Sequence, residues 1–466
     1  MSKKTKIKIL LLLAVLVVST GFRCKCVSSA DKKLLQPVVL TYWRVWDNES
    51  SMKEIINKYR ALHPNISIDY RKLRYEEFEQ ALLEAYAQDK PPDIISLHSS
   101  WLKKYALENK FISSMPKEVK VAYQYEKVAL KMKKEVIIEV ITQALPSIGQ
   151  IKDDFIDVVG ERVIIDDKIY GLPLGVDTLV MYYNRDLLDA AGIAQPATDW
   201  QTFQDHVKRL TFQNSEGTLV QSGTALGTAE NVRRATDILS LLMMQNGTEM
   251  MTGPNVTFNL VPANLADKSY TPGIEALKFY TDFANSVKEV YSWNGKMPDS
   301  LTAFARGQLA YYFGYSYDLP EIMAASLGKI NLGISKMPQI KDSREVNFAN
   351  FWVETVSSRS KNSDLAWDFI NFATGAKNVT SYLDAAKKPT AIRSLIETQL
   401  QTDDLKMFAS QLLTAKDWYS GYDSGEAEKG IKDLISAVLA GDKPEIAIGL
   451  AAGRVQQTMS PKRTSY

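Results

Sequence analysis

The sequence predicts an α/β protein of two lobes, each a sheet flanked by helices, joined where the chain crosses between them. Three observations carry this. Short β-branched apolar runs alternate with amphipathic helical stretches near the start of the chain. The segment 166–186, DDKIYGLPLGVDTLVMYYNRD, reads as two extended runs with a single break at Gly175-Val176-Asp177. At 466 residues, with 45% hydrophobic residues, the chain is long enough for two or three domains with their own cores. A break of this kind suits a chain leaving one lobe and entering the next, so a ligand cleft is expected at the crossing.

The first thirty residues are a separate object. Lys3, Lys4, Lys6 and Lys8 precede the apolar run 9–18, and Ser19, Thr20 and Gly21 follow, the layout of an export signal. The run is short of the ~20 apolar residues that span a bilayer, and an uncleaved anchor is the alternative. The segment holds six bases and no acid, so its removal takes the balance from 56 against 54 to 50 against 54, a net of −4. The basicity belongs to the signal and gives no reason to expect nucleic-acid binding. Cys24 and Cys26 are the only cysteines, which excludes an internal disulfide or a cysteine metal cluster from the rest of the chain. Cys24 follows the apolar run as a lipid attachment point would, although Arg23 departs from the usual small residues there; cleavage near Ser28-Ser29-Ala30 is the other outcome.

Residues 37–43, PVVLTYW, form a first buried strand. Met52, Ile55, Ile56, Tyr59 and Leu62 repeat at helical spacing, His63-Pro64-Asn65 stops that helix, and Ile66, Ile68 and Tyr70 alternate as a strand. The pattern repeats with a helix on Tyr75, Phe78, Leu82 and Tyr86 and a strand at 93–97, DIISL. Residues 117–151 read as a lysine-rich helical region, with Asp153-Asp154 starting a further helix and Asp166-Asp167-Lys168 making a hairpin turn. Helices are expected at 200–210, 231–245, 273–287 and 365–373, and strands at 330–337 and 348–356. The stretch 301–314 reads as helix, glycine turn and strand, and Lys387-Lys388-Pro389-Thr390 breaks the chain again.

Six stretches in order resemble the extracellular solute-binding proteins of ABC importers, the family with maltose- and glycerol-phosphate-binding members. They are LTYW at 40–43, YRALHPNISIDY at 59–70, PPDIISL at 91–97, KIYGLPLGVDTLVMYYNRDLLDAAGI at 168–193, FARGQLAYYFGYSYDLPEI at 304–322 and FWVETVSSRSKNSDLAWDFINFAT at 351–374. The resemblance implies a type II periplasmic-binding-protein-like fold, with solute held between the lobes, no reaction, no cofactor and a transmembrane permease as partner. It implies a first lobe of 37–174 plus 347–387, a second of 177–336 plus 389–455, and a tail at 456–466.

A sugar offers flat C–H faces and a ring of hydroxyls, so its site needs aromatic platforms beside carboxylates or amides. The candidates on cleft loops are Trp43, Asp47, His98, Ser99 and Trp101 in the first lobe, and Trp293, Tyr315, Tyr317, Trp418 and Tyr419 in the second. Asp177 stands at the crossing, where several family members place an acidic sugar contact, and Trp352 and Arg393 lie near the return crossings. The rival expectation is a secreted enzyme acting on polysaccharide, which needs two carboxylates facing one cleft. Asp153-Asp154 and Asp166-Asp167 are poor candidates for that, and His63, His98 and His206 lack metal-ligand spacing.

Overall fold

A computed structural model describes residues 34–128 and 134–461. Cys24 and the export segment lie outside the described residues. Among the described residues, no helix is long and apolar enough to cross a membrane.

Two five-stranded sheets organise the molecule. The first has the spatial order Ile66–Leu73, Val38–Val45, Ile94–His98, Trp352–Ser357 and Ile112–Ser113. Its first three strands are mutually parallel and are linked by the helices Glu49–Leu62 and Tyr75–Ala87. Helices bury Met52, Ile55, Ile56 and Tyr59, and Phe78, Leu82 and Tyr86, the positions whose spacing predicted them. Trp352–Ser357 enters antiparallel from more than 250 residues downstream, pairing Trp352 with His98.

The second sheet has the order Phe212–Gln213, Leu219–Thr224, Leu309–Gly314, Val180–Asn184 and Leu332–Ser335. Leu309–Gly314 follows the helix Ser300–Ala305 through Gly307, whose φ of 72° puts the chain in the left-handed region. Each sheet has its own hydrophobic core, one around Tyr42, Ile95, Val353 and Trp367, the other around Tyr182, Leu239, Tyr311 and Trp293.

Between them lies a small three-stranded sheet, Ala415–Lys416, Asn347–Asn350 and Asp177–Thr178. The run 348–356 is therefore not one strand. It divides at Phe351, its first part in this crossing sheet and its second in the first lobe. The crossing is tight. A Cβ on Gly175 would stand 2.6 Å from the Pro389 carbonyl, which Val176 N–H already engages at 3.2 Å. After Pro389 the chain returns to the first core, where Ala391, Ile392 and Ile396 pack.

Two expectations are corrected. The region 117–151 is not helical but a β-hairpin, Glu118–Val128 paired with Lys134–Ala144, followed by the helix Ile148–Asp154. Val119 and Val121 are buried on either side of exposed Lys120, a period of two that the lysines obscured. Asp153-Asp154 ends that helix rather than starting one. Its start is Ser147, which accepts from Gln150 N–H while the Gln150 side chain accepts from Ser147 N–H, a capping box. The Asp166-Asp167 turn forms between Ile164–Ile165 and Lys168–Ile169, with both central residues at positive φ (49° and 56°).

The hairpin docks on the first lobe through a buried polar cluster. His63 Nδ1–H donates to the Ala122 carbonyl at 2.8 Å, and its Nε2 stands 3.5 Å from Asp368 Oδ2. Asp368 accepts from the hydroxyls of Tyr59 (2.8 Å) and Tyr123 (3.1 Å). Burial lowers His63 from 6.5 to about 4 and raises Asp368 from 3.8 to about 6. Between pH 4 and 6 the folded pair holds one proton on Asp368, whereas the unfolded pair holds one on His63. The counts match, so the pair adds little pH dependence there. Asp368→Asn removes the compensation and leaves the folded chain short of protons relative to the unfolded one. Its urea midpoint is expected to climb between pH 4 and 6.5 more steeply than the wild type's; parallel midpoints would refute the pairing.

Candidate functional site

The cleft between the sheets holds three adjoining cavities, of about 280, 760 and 50 Å³. The first is an aromatic chamber. The first lobe supplies Trp46, Tyr75, Trp101 and Trp352, and the later part of the chain supplies Tyr317, Trp418 and Tyr419.

The chamber wall is built from the carboxyl ends of the first-sheet strands, where α/β sheets place ligands. Ile94–His98 ends at His98, and a short 3₁₀ turn, Ser99–Trp101, swings the Trp101 indole over the sheet edge. Trp352, opposite His98, meets it edge-on, with ring centroids 5.7 Å apart. Tyr75, at the start of its helix, stands 5.9 Å from Trp101 and 6.3 Å from Trp352. His98 locks this corner. Its Nε2–H donates to Asn350 Oδ1 at 3.3 Å, which leaves Nδ1 to accept from Ser100 Oγ–H at 2.8 Å. Burial pushes its pKa below the usual histidine value, keeping the ring neutral.

Polar groups complete the chamber. Arg234, at φ 60° just before the helix Ala235–Gln245, donates from Nε and Nη2 to Asp237 at 2.9 and 2.7 Å. Burial works against its charge, and Asp237 more than offsets this, so the guanidinium stays charged. Asp417 accepts from Arg162 Nε at 3.0 Å, and Asn350 and Glu428 also face the space. Charged groups in partly buried, paired positions hold fixed orientations, as a site that reads hydroxyls requires.

Trp46 is the unusual residue. Its φ is 71°, and Asp47 N–H donates to the Val45 carbonyl across it at 2.9 Å. An i to i+2 bond about a left-handed residue is a strained γ-turn, and a non-glycine residue held so costs about 1–3 kcal/mol. The turn projects a 49% exposed indole between Tyr75 (5.8 Å, 18°) and Tyr317 of the opposite lobe (6.1 Å, 6°).

The structure brings some sequence candidates together and removes others. Trp101, Trp352, Tyr317, Trp418 and Tyr419 line the chamber. Asp47 and Asp177 line the smallest cavity, at the crossing, but both are occupied. Asp47 accepts from Tyr382 (2.9 Å) and pairs with Arg44 (3.2 Å). Asp177 accepts Ser316 N–H at 3.0 Å and its hydroxyl at 2.6 Å, with Lys388 at 3.9 Å. Burial raises the Asp177 pKa, opposed by Lys388 and these bonds. It ties the crossing sheet to the second lobe.

Five candidates lie elsewhere. Trp43 lies against Arg71 of the neighbouring strand at 4.8 Å, because strand alternation turns it away from the cleft. Ser99 is buried beneath the chamber with its hydroxyl on Asp417 at 3.4 Å. Trp293 is fully buried, its indole N–H on Asn231 at 3.1 Å. Tyr315 is fully buried under Tyr317, its hydroxyl on Asp237 at 2.8 Å. Arg393 pairs with Asp157 outside the cleft. Trp46, Tyr75, Arg234 and Asp237 were missed. Trp46 was within reach, lying between the two residues chosen from its loop.

Comparison with known proteins agrees with this geometry. A galactooligosaccharide-binding protein of Bacillus subtilis is 23% identical over 55% of the chain and 58% of its own length. The matches span a little over half the length of such curated relatives. Among solved structures, a cyclic α-maltosyl-1,6-maltose binding protein from Arthrobacter globiformis superposes with a TM-score of 0.70 at 19% identity, over 91% of this chain and 99% of that one. An ABC substrate-binding protein from Listeria monocytogenes in complex with cycloalternan gives 0.68 at 16%, over 92% and 100%. These likenesses establish the two-lobed type II fold. Residues 54–409 match the family described as bacterial extracellular solute-binding protein, and the chain belongs to that family.

Proposed function

We propose that this chain is the extracytoplasmic solute-binding component of an ABC importer, taking an oligosaccharide between its lobes and delivering it to a membrane permease. The chamber carries the reading: its tryptophan and tyrosine side chains, together with the Arg234–Asp237 pair and Asn350, combine ring platforms with hydroxyl partners. The relatives that bind galactooligosaccharide and maltodextrin point the same way. The lobes are divided as 37–174 plus 347–387 and 177–336 plus the later part of the chain, except that Ala391, Ile392 and Ile396 return to the first core. The amino-terminal segment serves export, by lipid attachment at Cys24, retention of the segment or cleavage near Ser28-Ser29-Ala30.

An enzyme would need a free pair of carboxylates in the chamber. Asp237 and Asp417 are each tied to an arginine, at 2.7 and 3.0 Å, which favours binding over hydrolysis. Calorimetric titration with linear, cyclic and galactosyl oligosaccharides is expected to show one ligand per chain and no new products. Product accumulating from any of them would overturn the binding assignment, and silence from all of them would overturn the carbohydrate.

A further inference from the structure

We propose that Trp46 partitions the cleft and sets the length of the oligosaccharide it accepts, an inference that rests on the carbohydrate reading. Trp46 and Tyr317 are shared by all three cavities, so their stacked rings form the wall between the 280 Å³ chamber and the 760 Å³ compartment beyond it.

The two compartments differ in chemistry. The chamber is aromatic, whereas the outer compartment is lined by paired charges, Arg233 with Glu321 and Lys387 with Asp404 among them. A short ligand lies within the chamber and ends against the indole. A longer one has to pass the indole to reach the outer compartment. With centroids 6.1 Å apart and planes within 6°, Trp46 and Tyr317 leave no room for a sugar ring between them.

Of the two rings, Trp46 is the one built to move. Tyr317 follows Ser316, which Asp177 grips with two hydrogen bonds, and Lys388 sits 5.0 Å over its face. Trp46 rides on a strained γ-turn whose flanks are fixed, Val45 in the core and Asp47 by Tyr70, Tyr382 and Arg44. Rotation about the side-chain bonds of Trp46, which is 49% exposed, swings the indole without disturbing either neighbour.

The test is a ladder of linear maltooligosaccharides of two to seven units, titrated against the wild type, Trp46→Ala, Trp46→Phe and Trp101→Ala. Trp46→Ala is expected to weaken the shortest ligands about tenfold or more and to leave the longest unchanged or tighter, shifting the long-to-short affinity ratio about tenfold. Trp46→Phe, which keeps a ring, shifts the ratio less and guards against misfolding, and Trp101→Ala weakens all lengths alike. A ratio unchanged in Trp46→Ala, with the ladder still binding, overturns the partition alone. If no member binds the wild type while a solute that is not a carbohydrate does, the carbohydrate reading falls and the partition with it.

Discussion

Glu354→Ala is expected to lower the unfolding free energy by about 3–5 kcal/mol, the cost of removing one partner of a buried ion pair. Glu354 is 2% exposed in the middle of the first sheet. It accepts from the Tyr42 hydroxyl at 2.6 Å and Ser96 at 3.1 Å, and it pairs with Arg44 at 3.3 Å. Burial raises its pKa and Arg44 opposes the rise. Arg44 is buried as well, and its Nε and Nη1 already lack hydrogen-bond partners, so the loss of Glu354 leaves its charge to Asp47, with Tyr382 beside it. Guanidinium unfolding of the ligand-free protein measures the effect. Glu354→Gln keeps an acceptor for Tyr42 and is expected to cost about half as much. A loss under about 1 kcal/mol for the alanine variant would show that the network stabilises the lobe far less than its burial demands.

The second large effect is expected at Asp177, and on binding rather than on folding. Alanine there strands the buried Ser316 N–H and removes the link from the crossing sheet to the second lobe. An unsatisfied buried donor costs about 1–3 kcal/mol. Because the link fixes the second lobe to the crossing sheet about which the lobes close, affinity is expected to drop about 10–100-fold for every ligand alike. Small-angle scattering is expected to show a larger radius of gyration for the variant at equal ligand concentration. Ser316→Ala, which keeps the N–H bond, loses less. A loss confined to one ligand would instead make Asp177 a direct sugar contact.

The fold was legible where periodicity was clean. Helix-spaced Met52, Ile55, Ile56 and Tyr59, and the run DIISL, have one reading each, because a period fixes which face is buried. The hairpin Glu118–Val128 and Lys134–Ala144 was not legible, since lysines interrupt its apolar positions and composition suggested a solvated helix. The site was legible at the level of loops but not of side chains. The loops around Trp46, Trp101 and Tyr317 do face the cleft. Which ring of a loop enters depends on backbone detail that residue type does not carry: a γ-turn turns Trp46 in, and strand alternation turns Trp43 away. Trp293 shows the converse. It follows Ser292 in a polar stretch, yet Asn231 gives its indole N–H a partner and the ring can be buried at no hydrogen-bonding loss.

The division of the 348–356 run at Phe351 has a consequence for how the molecule comes into being. The first sheet lacks its fourth strand until Trp352–Ser357 has been synthesised, and the crossing sheet lacks its last until Ala415–Lys416. A chain emerging from the ribosome amino-terminus first therefore carries a half-built lobe for most of its synthesis, since pairings this far apart form slowly and late. Neither sheet can close before these late strands exist, so the fold locks only when synthesis is nearly complete.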